Sequence, residues 1–190
     1  MKKQLVVLVG LPGSGRAAVA RRHSEWVTVS REDIRRYVFR AVNDCEYEET
    51  IDRIFATALV ETVESDAPVV CIDDVHLTRK ARKSLLELAH LSGRQPIACV
   101  MAEESIDSLY ARLQQEFVRL RDVEPWLKVS EFPRERLTDL ARIYEPVTES
   151  EGFAQVILEP FPQTPNRPSS PSVQPGRQRK KKREPLPLFV

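Results

Sequence analysis

Leu5-Val-Val-Leu-Val-Gly-Leu-Pro-Gly-Ser-Gly-Arg-Ala17 is the stretch of sequence that decides the fold. It opens with five consecutive apolar residues, which predict a buried strand. Three glycines follow within six residues, and the Ala-rich segment after them predicts a helix. Glycines at such a junction let the backbone turn tightly and approach phosphate oxygens, and the first N–H groups of the helix favour anionic charge. The stretch therefore predicts a phosphate-binding loop, with an ordinary Gly/Pro turn as the alternative.

Two side chains of this loop depart from the complete phosphate-loop pattern. The full pattern, GxxxxGK followed by Ser or Thr, uses its lysine to reach the terminal phosphates and its hydroxyl to bind magnesium. Here Arg16 and Ala17 hold those positions, and Ala18 offers no substitute hydroxyl. Because a planar guanidinium sits differently from a compact ammonium, we expect binding to survive better than catalysis. The residues expected at the bound nucleotide are Gly10, Pro12, Gly13, Ser14, Gly15, Arg16 and Ala17.

Apolar runs alternate with helical periods along the rest of the chain, which predicts βαβ units around a parallel sheet. The candidate strands are residues 5–9, 26–29, 69–72, 97–101 and 156–158. The candidate helices are residues 17–25, 31–40, 46–65, 79–91 and 106–121, with a short sixth at 137–144. We therefore expect one domain, residues 1–160, with a three-layer α/β fold in which helices flank a parallel five-stranded sheet.

Two carboxylates, Asp73 and Asp74, follow the apolar run that forms the third candidate strand. Ligands of α/β sheets bind at the carboxyl ends of the strands, and an acid at this place commonly holds Mg²⁺ directly or through water. Asp74 is the preferred magnesium ligand of the two. The alternative is that both acids cap the helix that follows Thr78.

A second polar junction, Ser30-Arg-Glu-Asp-Ile-Arg-Arg36, follows the second candidate strand. In the structural interpretation, Ser30 caps a helix and Asp33 occupies its third position. In the functional interpretation, a carboxylate here accepts a proton from an acceptor hydroxyl while an arginine holds a nearby phosphate. The spacing alone leaves both interpretations open.

Taken together, these segments resemble the polynucleotide kinase type of P-loop kinase, whose members phosphorylate 5′-hydroxyls of DNA or RNA. The matching pieces are G-L-P-G-S-G, S-R-E-D-I-R-R, I-D-D-V-H-L, Leu109-Tyr-Ala-Arg-Leu113 and Tyr144-Glu-Pro-Val-Thr-Glu-Ser-Glu-Gly-Phe153. The resemblance implies a P-loop NTPase fold, ATP and Mg²⁺ as cofactors, and transfer of the γ-phosphate to a hydroxyl such as a nucleic-acid 5′-OH. The substitutions at Arg16 and Ala17 leave a second possibility, a pseudokinase that binds nucleotide or nucleic acid with little catalysis.

The resemblance also implies roles for individual residues. The general base falls on Glu32, where the family usually has Asp, and Asp33 is the neighbouring candidate carboxylate. Arg35 corresponds to the contact with the phosphate of the acceptor strand, and Asp74 to the acid after the third strand. The arginines of the lid that clamps the donor phosphates would be Arg112 with Arg119 or Arg121, although solvated helical arginines would look the same.

The last thirty residues differ in composition from the rest of the chain. They are rich in proline, so we expect residues 161–190 to be a disordered tail. The run Arg177-Gln-Arg-Lys-Lys-Lys-Arg183 would add salt-sensitive attraction to nucleic acid, or would only make the tail soluble. The end of the chain resembles the peptides by which bacterial proteins dock on the DNA sliding clamp, with Leu186, Leu188 and Phe189 as the matching residues.

Charge and cysteine content narrow the remaining classes of function. The net charge is +1, but seven basic residues and one acidic residue in the tail leave residues 1–160 at about −5. An acidic body argues against non-specific nucleic-acid binding outside the tail or a local cleft. Three cysteines without disulfide or zinc-ligand spacing favour a cytoplasmic protein. No run approaches the roughly 18 apolar residues of a membrane span, so we expect no membrane partner.

Overall fold

The computed structural model describes residues 2–43 and 45–160. The strands are Gln4–Val9 (β1), Val27–Ser30 (β2), Ala41–Val42 (β3), Val69–Asp73 (β4), Gln95–Met101 (β5), Lys128–Val129 (β6) and Gln155–Glu159 (β7). The helices are Arg16–Arg22 (α1), Arg31–Val38 (α2), Glu48–Glu64 (α3), Arg79–Leu91 (α4), Ile106–Val123 (α5) and Arg134–Arg142 (α6), with a 3₁₀ turn at Glu149–Glu151. Five strands form one parallel sheet of order β2-β4-β1-β5-β7.

The central position of β1 explains its continuous apolar sequence. Residues Leu5, Val7 and Val9 pack on one side of the sheet against α3 and α4, whereas Val6 and Leu8 pack on the other side against α1. A parallel sheet with both faces covered requires such uninterrupted apolar strands. The predicted α/β fold with a parallel five-stranded sheet between helices is therefore confirmed.

Several helices begin at the polar residues that the sequence offers as caps. The hydroxyl oxygens of Ser30, Thr78 and Ser105 each accept a hydrogen bond at 3.2 Å from the backbone N–H three residues later. The structural interpretation of Ser30 as a cap of α2 is therefore confirmed. The first helix, α1, ends at Arg22 and not at residue 25, because the chain turns there and the N–H of His23 bonds to the carbonyl of Ala20.

A small parallel ladder of β3 with β6 was not expected from the sequence. It joins the connection after α2 to the connection after α5. Beside it, the guanidinium of Arg36 makes a bidentate ion pair with Glu124, at the end of α5. The ladder and the ion pair hold α5 across the end of α2, next to the carboxyl edge of the main sheet.

None of the helices within the described residues is long and apolar enough to cross a membrane. The expected disordered tail, its basic run and its clamp-like end lie outside the described residues and stay predictions, as does the domain boundary at residue 160.

Candidate functional site

The loop after β1 has a shape that its glycines make possible. Gly13 and Gly15 have φ values of 82° and 95°, in the left-handed region that favours glycine. A Cβ atom on Gly13 would lie 2.6 Å from the carbonyl oxygen of Leu109, and one on Gly10 would lie 2.7 Å from Cγ of Met101. The loop is therefore enclosed between the end of β5 and the first turn of α5.

Arg16 is the cationic side chain of this loop. Its Nε lies 3.9 Å from Oδ1 of Asp73, and both side chains are largely buried. Its Nη1 is buried without a hydrogen-bond partner among the described residues, and the same holds for Oγ of Ser14. Buried polar groups are nearly always hydrogen-bonded in folded proteins, so these two atoms indicate a place where a polar ligand binds.

Asp73 ends β4 and lies at the loop. Burial raises the pKa of its carboxyl, as do the negative charges of Asp33 and Asp74, whereas the positive charge of Arg16 opposes this effect. The neighbouring strand β2 ends at the same level, because Ser30 pairs with Asp73 in the sheet register. Asp73 is thus the acid of β4 that is closest to the cationic group of the loop.

Asp74, the preferred magnesium ligand of the sequence analysis, is held by other groups. Its Oδ2 accepts a hydrogen bond from Nε of Arg31 at 2.9 Å, and its Oδ1 accepts one from the backbone N–H of Val75 at 2.8 Å. Burial would raise the pKa of Asp74, but the charges of His76 and Arg31 and this backbone bond bring it below its ordinary value. Asp74 therefore stays ionised in a structural pair with Arg31.

Glu32 and Arg35 form a cluster with an acid of α3. Arg35 donates from Nη1 to Glu32 at 3.0 Å, and its Nε and Nη2 donate to the two oxygens of Glu48 at 2.8 and 2.7 Å. Burial of its carboxylate raises the pKa of Glu32 to about 7, against the opposing charge and hydrogen bond of Arg35. The predicted base, Glu32, and the predicted phosphate-binding arginine, Arg35, therefore lie together, but they are hydrogen-bonded to each other.

A cleft of about 660 Å³ lies beside the loop. Ala17 and Asp73 line it where it joins the loop, and side chains of α1, α2 and α5 form its walls. Its lining residues include Ala17, Arg21, Trp26, Asp33, Arg36, Tyr37, Asp73, Glu116 and Arg119. Burial raises the pKa of Asp33, while the charges of Arg36 and Arg21 act in the opposite direction. Asp33 lines the cleft, whereas Glu32, the residue on which the family's general base falls, is not among its lining residues.

The three predicted lid arginines lie in different surroundings on α5. Arg112 forms an ion pair with Glu104 and donates from Nε to the carbonyl of Ser108 at 3.3 Å. Arg119 lines the cleft and donates from Nε to Glu116 at 2.7 Å. Arg121 is exposed. Of the three, Arg119 is the one that the fold places at the cleft.

The donor set at the loop does not fit the magnesium site that this kind of loop implies. Magnesium requires oxygen ligands in near-octahedral geometry. The loop offers the methyl group of Ala17 at the hydroxyl position, a guanidinium stands beside Asp73, and both oxygens of Asp74 accept hydrogen bonds already.

A glycine loop between the central parallel strand and α1, with an acid at the end of the adjacent strand, defines a P-loop NTPase with a kinase-like α/β fold. Residues 5–146 match the model of the AAA domain family, and the chain belongs to that family. The search of curated proteins gave no match.

Three solved structures illustrate the similarity. A chain of the PezAT toxin-antitoxin system of Streptococcus pneumoniae is 17% identical, with a TM-score of 0.60 over 84% of this chain and 68% of that chain. A chain of the Pnkp1/Rnl/Hen1 RNA repair complex is 20% identical, with a TM-score of 0.58 over 75% of this chain and 44% of that chain. Kti12 of Chaetomium thermophilum, in complex with ADP-AlF3, is 17% identical, with a TM-score of 0.59 over 83% and 89%. At these identities the similarity shows a shared fold.

The position of Asp73 at the loop could have been predicted from the alternation of side chains along β4. Cys71 packs with Val19 and Ala20 of α1, and Ile72 packs with the residues of the opposite face. Because side chains of a strand alternate between faces, Asp73 shares the face of Cys71 and α1. The period of two would therefore have favoured Asp73 over Asp74.

Proposed function

We propose that this protein binds ATP at residues 10–17 and transfers its γ-phosphate to a hydroxyl group held in the adjoining cleft, such as the 5′-OH of a nucleic acid. The observation that carries the proposal is the continuity of the loop, through Ala17 and Asp73, with a cleft lined by both acidic and basic side chains. A donor and an acceptor bound in these two places would meet at the carboxyl edge of the sheet, where α/β proteins bind their ligands.

Asp33 is the proton acceptor in this proposal. The acceptor oxygen forms a bond to the γ-phosphorus, the bond from that phosphorus to the oxygen of ADP breaks, and the hydroxyl proton passes to the Asp33 carboxylate. A raised pKa makes a carboxylate a better base near neutral pH, which supports this assignment. Arg16 and Arg119 would stabilise the charge on the phosphoryl oxygens.

The walls of the cleft support a nucleic-acid acceptor. Arg21 and Arg119 offer positive charge for backbone phosphates, and Trp26 and Tyr37 offer aromatic surface for bases. Single-stranded nucleic acid is commonly bound by this combination of cationic groups and stacking side chains.

A nucleotide-binding module with little turnover is the second candidate function. It is favoured by the replacement of the catalytic lysine and hydroxyl by Arg16 and Ala17, and by the contact of Arg16 with Asp73. Loss of single charge-stabilising groups lowers phosphoryl transfer by orders of magnitude. A protein of this kind would keep the loop as a binding site only.

Transfer of labelled phosphate from ATP to 5′-hydroxyl oligonucleotides tests both functions. We expect transfer by the wild type and a loss of about 100-fold or more in Asp33→Asn, since general bases contribute about 10²–10⁴ in rate. Asp139→Asn, which changes an exposed acid of α6 away from the cleft, is the matched control and should leave the rate unchanged. Wild-type transfer no faster than that of Asp33→Asn, together with retained ATP binding, would establish the binding module instead.

A further inference from the structure

The positive charge beside the phosphate loop is a side chain of the protein itself, the guanidinium of Arg16. In the complete loop pattern, the phosphates meet a lysine and a magnesium ion, and the ion is held by a hydroxyl and through an acid. Here, the guanidinium of Arg16 stands next to the acid, Asp73, and the hydroxyl is replaced by the methyl group of Ala17. We infer that the loop binds nucleotide phosphates without magnesium, with the Arg16 guanidinium as the cation that replaces the ion.

Electrostatics disfavours a divalent cation in addition to Arg16. The Arg16 guanidinium lies 3.9 Å from the buried Asp73 carboxylate and offsets part of its negative charge. A magnesium ion at this acid would be repelled by Arg16, and like charges in a partly buried site interact strongly. The Asp74 carboxylate does not compensate, because Arg31 and the backbone of Val75 hold both of its oxygens.

The guanidinium has the free donor that phosphate binding requires. Arginine presents five N–H donors in a planar fork that matches the oxygens of a phosphate. Nε of Arg16 lies 3.9 Å from Oδ1 of Asp73, beyond hydrogen-bond distance, and its buried Nη1 has no hydrogen-bond partner among the described residues. The nearby Ser14 hydroxyl, 5% exposed, is likewise without a partner in this part of the chain. Phosphate oxygens bound at the loop would offer acceptors to these two donors, and hydrogen bonds between a guanidinium and a phosphate are strong.

This inference rests on the nucleotide binding proposed above, but not on phosphoryl transfer. Its test is isothermal titration of the full chain with a non-hydrolysable ATP analogue, once in EDTA and once in excess Mg²⁺. We expect dissociation constants that agree within about threefold. Binding that is at least about tenfold tighter with Mg²⁺ would overturn the inference and leave the proposed function standing. Absence of binding in both buffers would overturn the proposed nucleotide site as well.

Variants of the loop separate the guanidinium from other causes. Arg16→Ala should weaken binding in EDTA by about 10- to 100-fold, the range for a lost hydrogen bond to a charged group. Arg22→Ala removes a cation of the same helix that pairs with Glu159 instead, so its binding should match the wild type. Equal losses in the two variants would contradict a specific role for Arg16.

The double variant Arg16→Lys with Ala17→Ser restores the complete pattern and keeps the positive charge. It should bind the analogue at least about tenfold more tightly with Mg²⁺ than in EDTA. With lysine at position 16, Asp73 and the new hydroxyl would both be available to hold the magnesium ion. Its melting temperature shows whether the fold is kept. A folded double variant that is as indifferent to magnesium as the wild type would refute the assignment of magnesium independence to these two side chains.

Discussion

The ion pair of Arg82 with Glu151 allows a quantitative prediction of stability. Arg82, on α4, has no exposed surface, and it donates to the two oxygens of Glu151 at 2.7 and 2.8 Å. Its Nη1 donates to the carbonyls of His76 and Leu77, both at 3.1 Å. Glu151 also accepts a hydrogen bond from the backbone N–H of Thr148 at 3.0 Å. The pair thus joins α4, the loop after β4 and the segment after α6.

The perturbation is Glu151→Gln, which keeps the size of the side chain and removes its charge. Removal of one partner from a buried ion pair costs about 3–5 kcal/mol, because the remaining charge is buried without compensation. Gln retains one acceptor oxygen for Arg82, so we expect a loss of about 3 kcal/mol in the free energy of unfolding. The control is Asp139→Asn, whose partner Arg142 is 73% exposed, and there the loss should stay below about 1 kcal/mol.

Urea unfolding followed by tryptophan fluorescence measures both changes, since Trp26 and Trp126 report on separate parts of the fold. Equal slopes against urea would show that the unfolded states are comparable. The double variant Arg82→Met with Glu151→Leu should recover part of the loss, because it buries no charge. If Glu151→Gln loses no more stability than Asp139→Asn, the reasoning from burial is refuted.

Two further predictions concern the loop and the Glu32 carboxylate. Gly13→Ala should weaken both stability and nucleotide binding more than Gly93→Ala. Both glycines have positive φ, but only at Gly13 would the new Cβ lie 2.6 Å from a backbone oxygen, that of Leu109. Titration and urea unfolding compare the two, and equal losses would contradict the steric argument. In the folded protein, Glu32 has a pKa near 7, against an ordinary value of 4.5, so between these pH values it binds more protons in the folded state than in the unfolded state. The stability of the wild type should therefore fall as the pH rises from 4.5 to 7. Glu32→Gln should remove this pH dependence of stability, which unfolding curves recorded between pH 4.5 and 8 would measure. If the stabilities of the wild type and the variant change with pH in parallel, the raised pKa of Glu32 is excluded.

Local sequence signals were sufficient for the main sheet and the loop. Each strand of the sheet's interior is a continuous apolar run, and the glycines at positions 10, 13 and 15 mark the turn between β1 and α1. The ladder of β3 with β6 could not be predicted, because two residues show no period and their pairing depends on where α5 ends. Strands this short are defined by the surrounding tertiary structure.

The roles of charged side chains were harder to predict, since they depend on partners far apart in sequence. Arg35 is bound by Glu48 of the next helix, and Arg36 is bound by Glu124, 88 positions away. Neither partner belongs to the motif that carries the two arginines. The motif therefore predicted the helix and its cap correctly, but could not show which of its side chains faces the cleft. Which side chain faces the cleft depends on the acids that pair with the arginines, Glu48 and Glu124.

The two substitutions in the loop separate binding from catalysis for a physical reason. The shape of the loop depends on backbone torsions at Gly13 and Gly15 and on its contact with α5, none of which requires a lysine or a hydroxyl. Phosphoryl transfer depends instead on how much positive charge meets the phosphates. Arg16 supplies one unit of charge where the complete pattern, with its lysine and magnesium, supplies three. Nucleotide affinity and turnover are therefore expected to respond independently when residues 16 and 17 are restored, which is why binding and transfer have to be measured on the same variants.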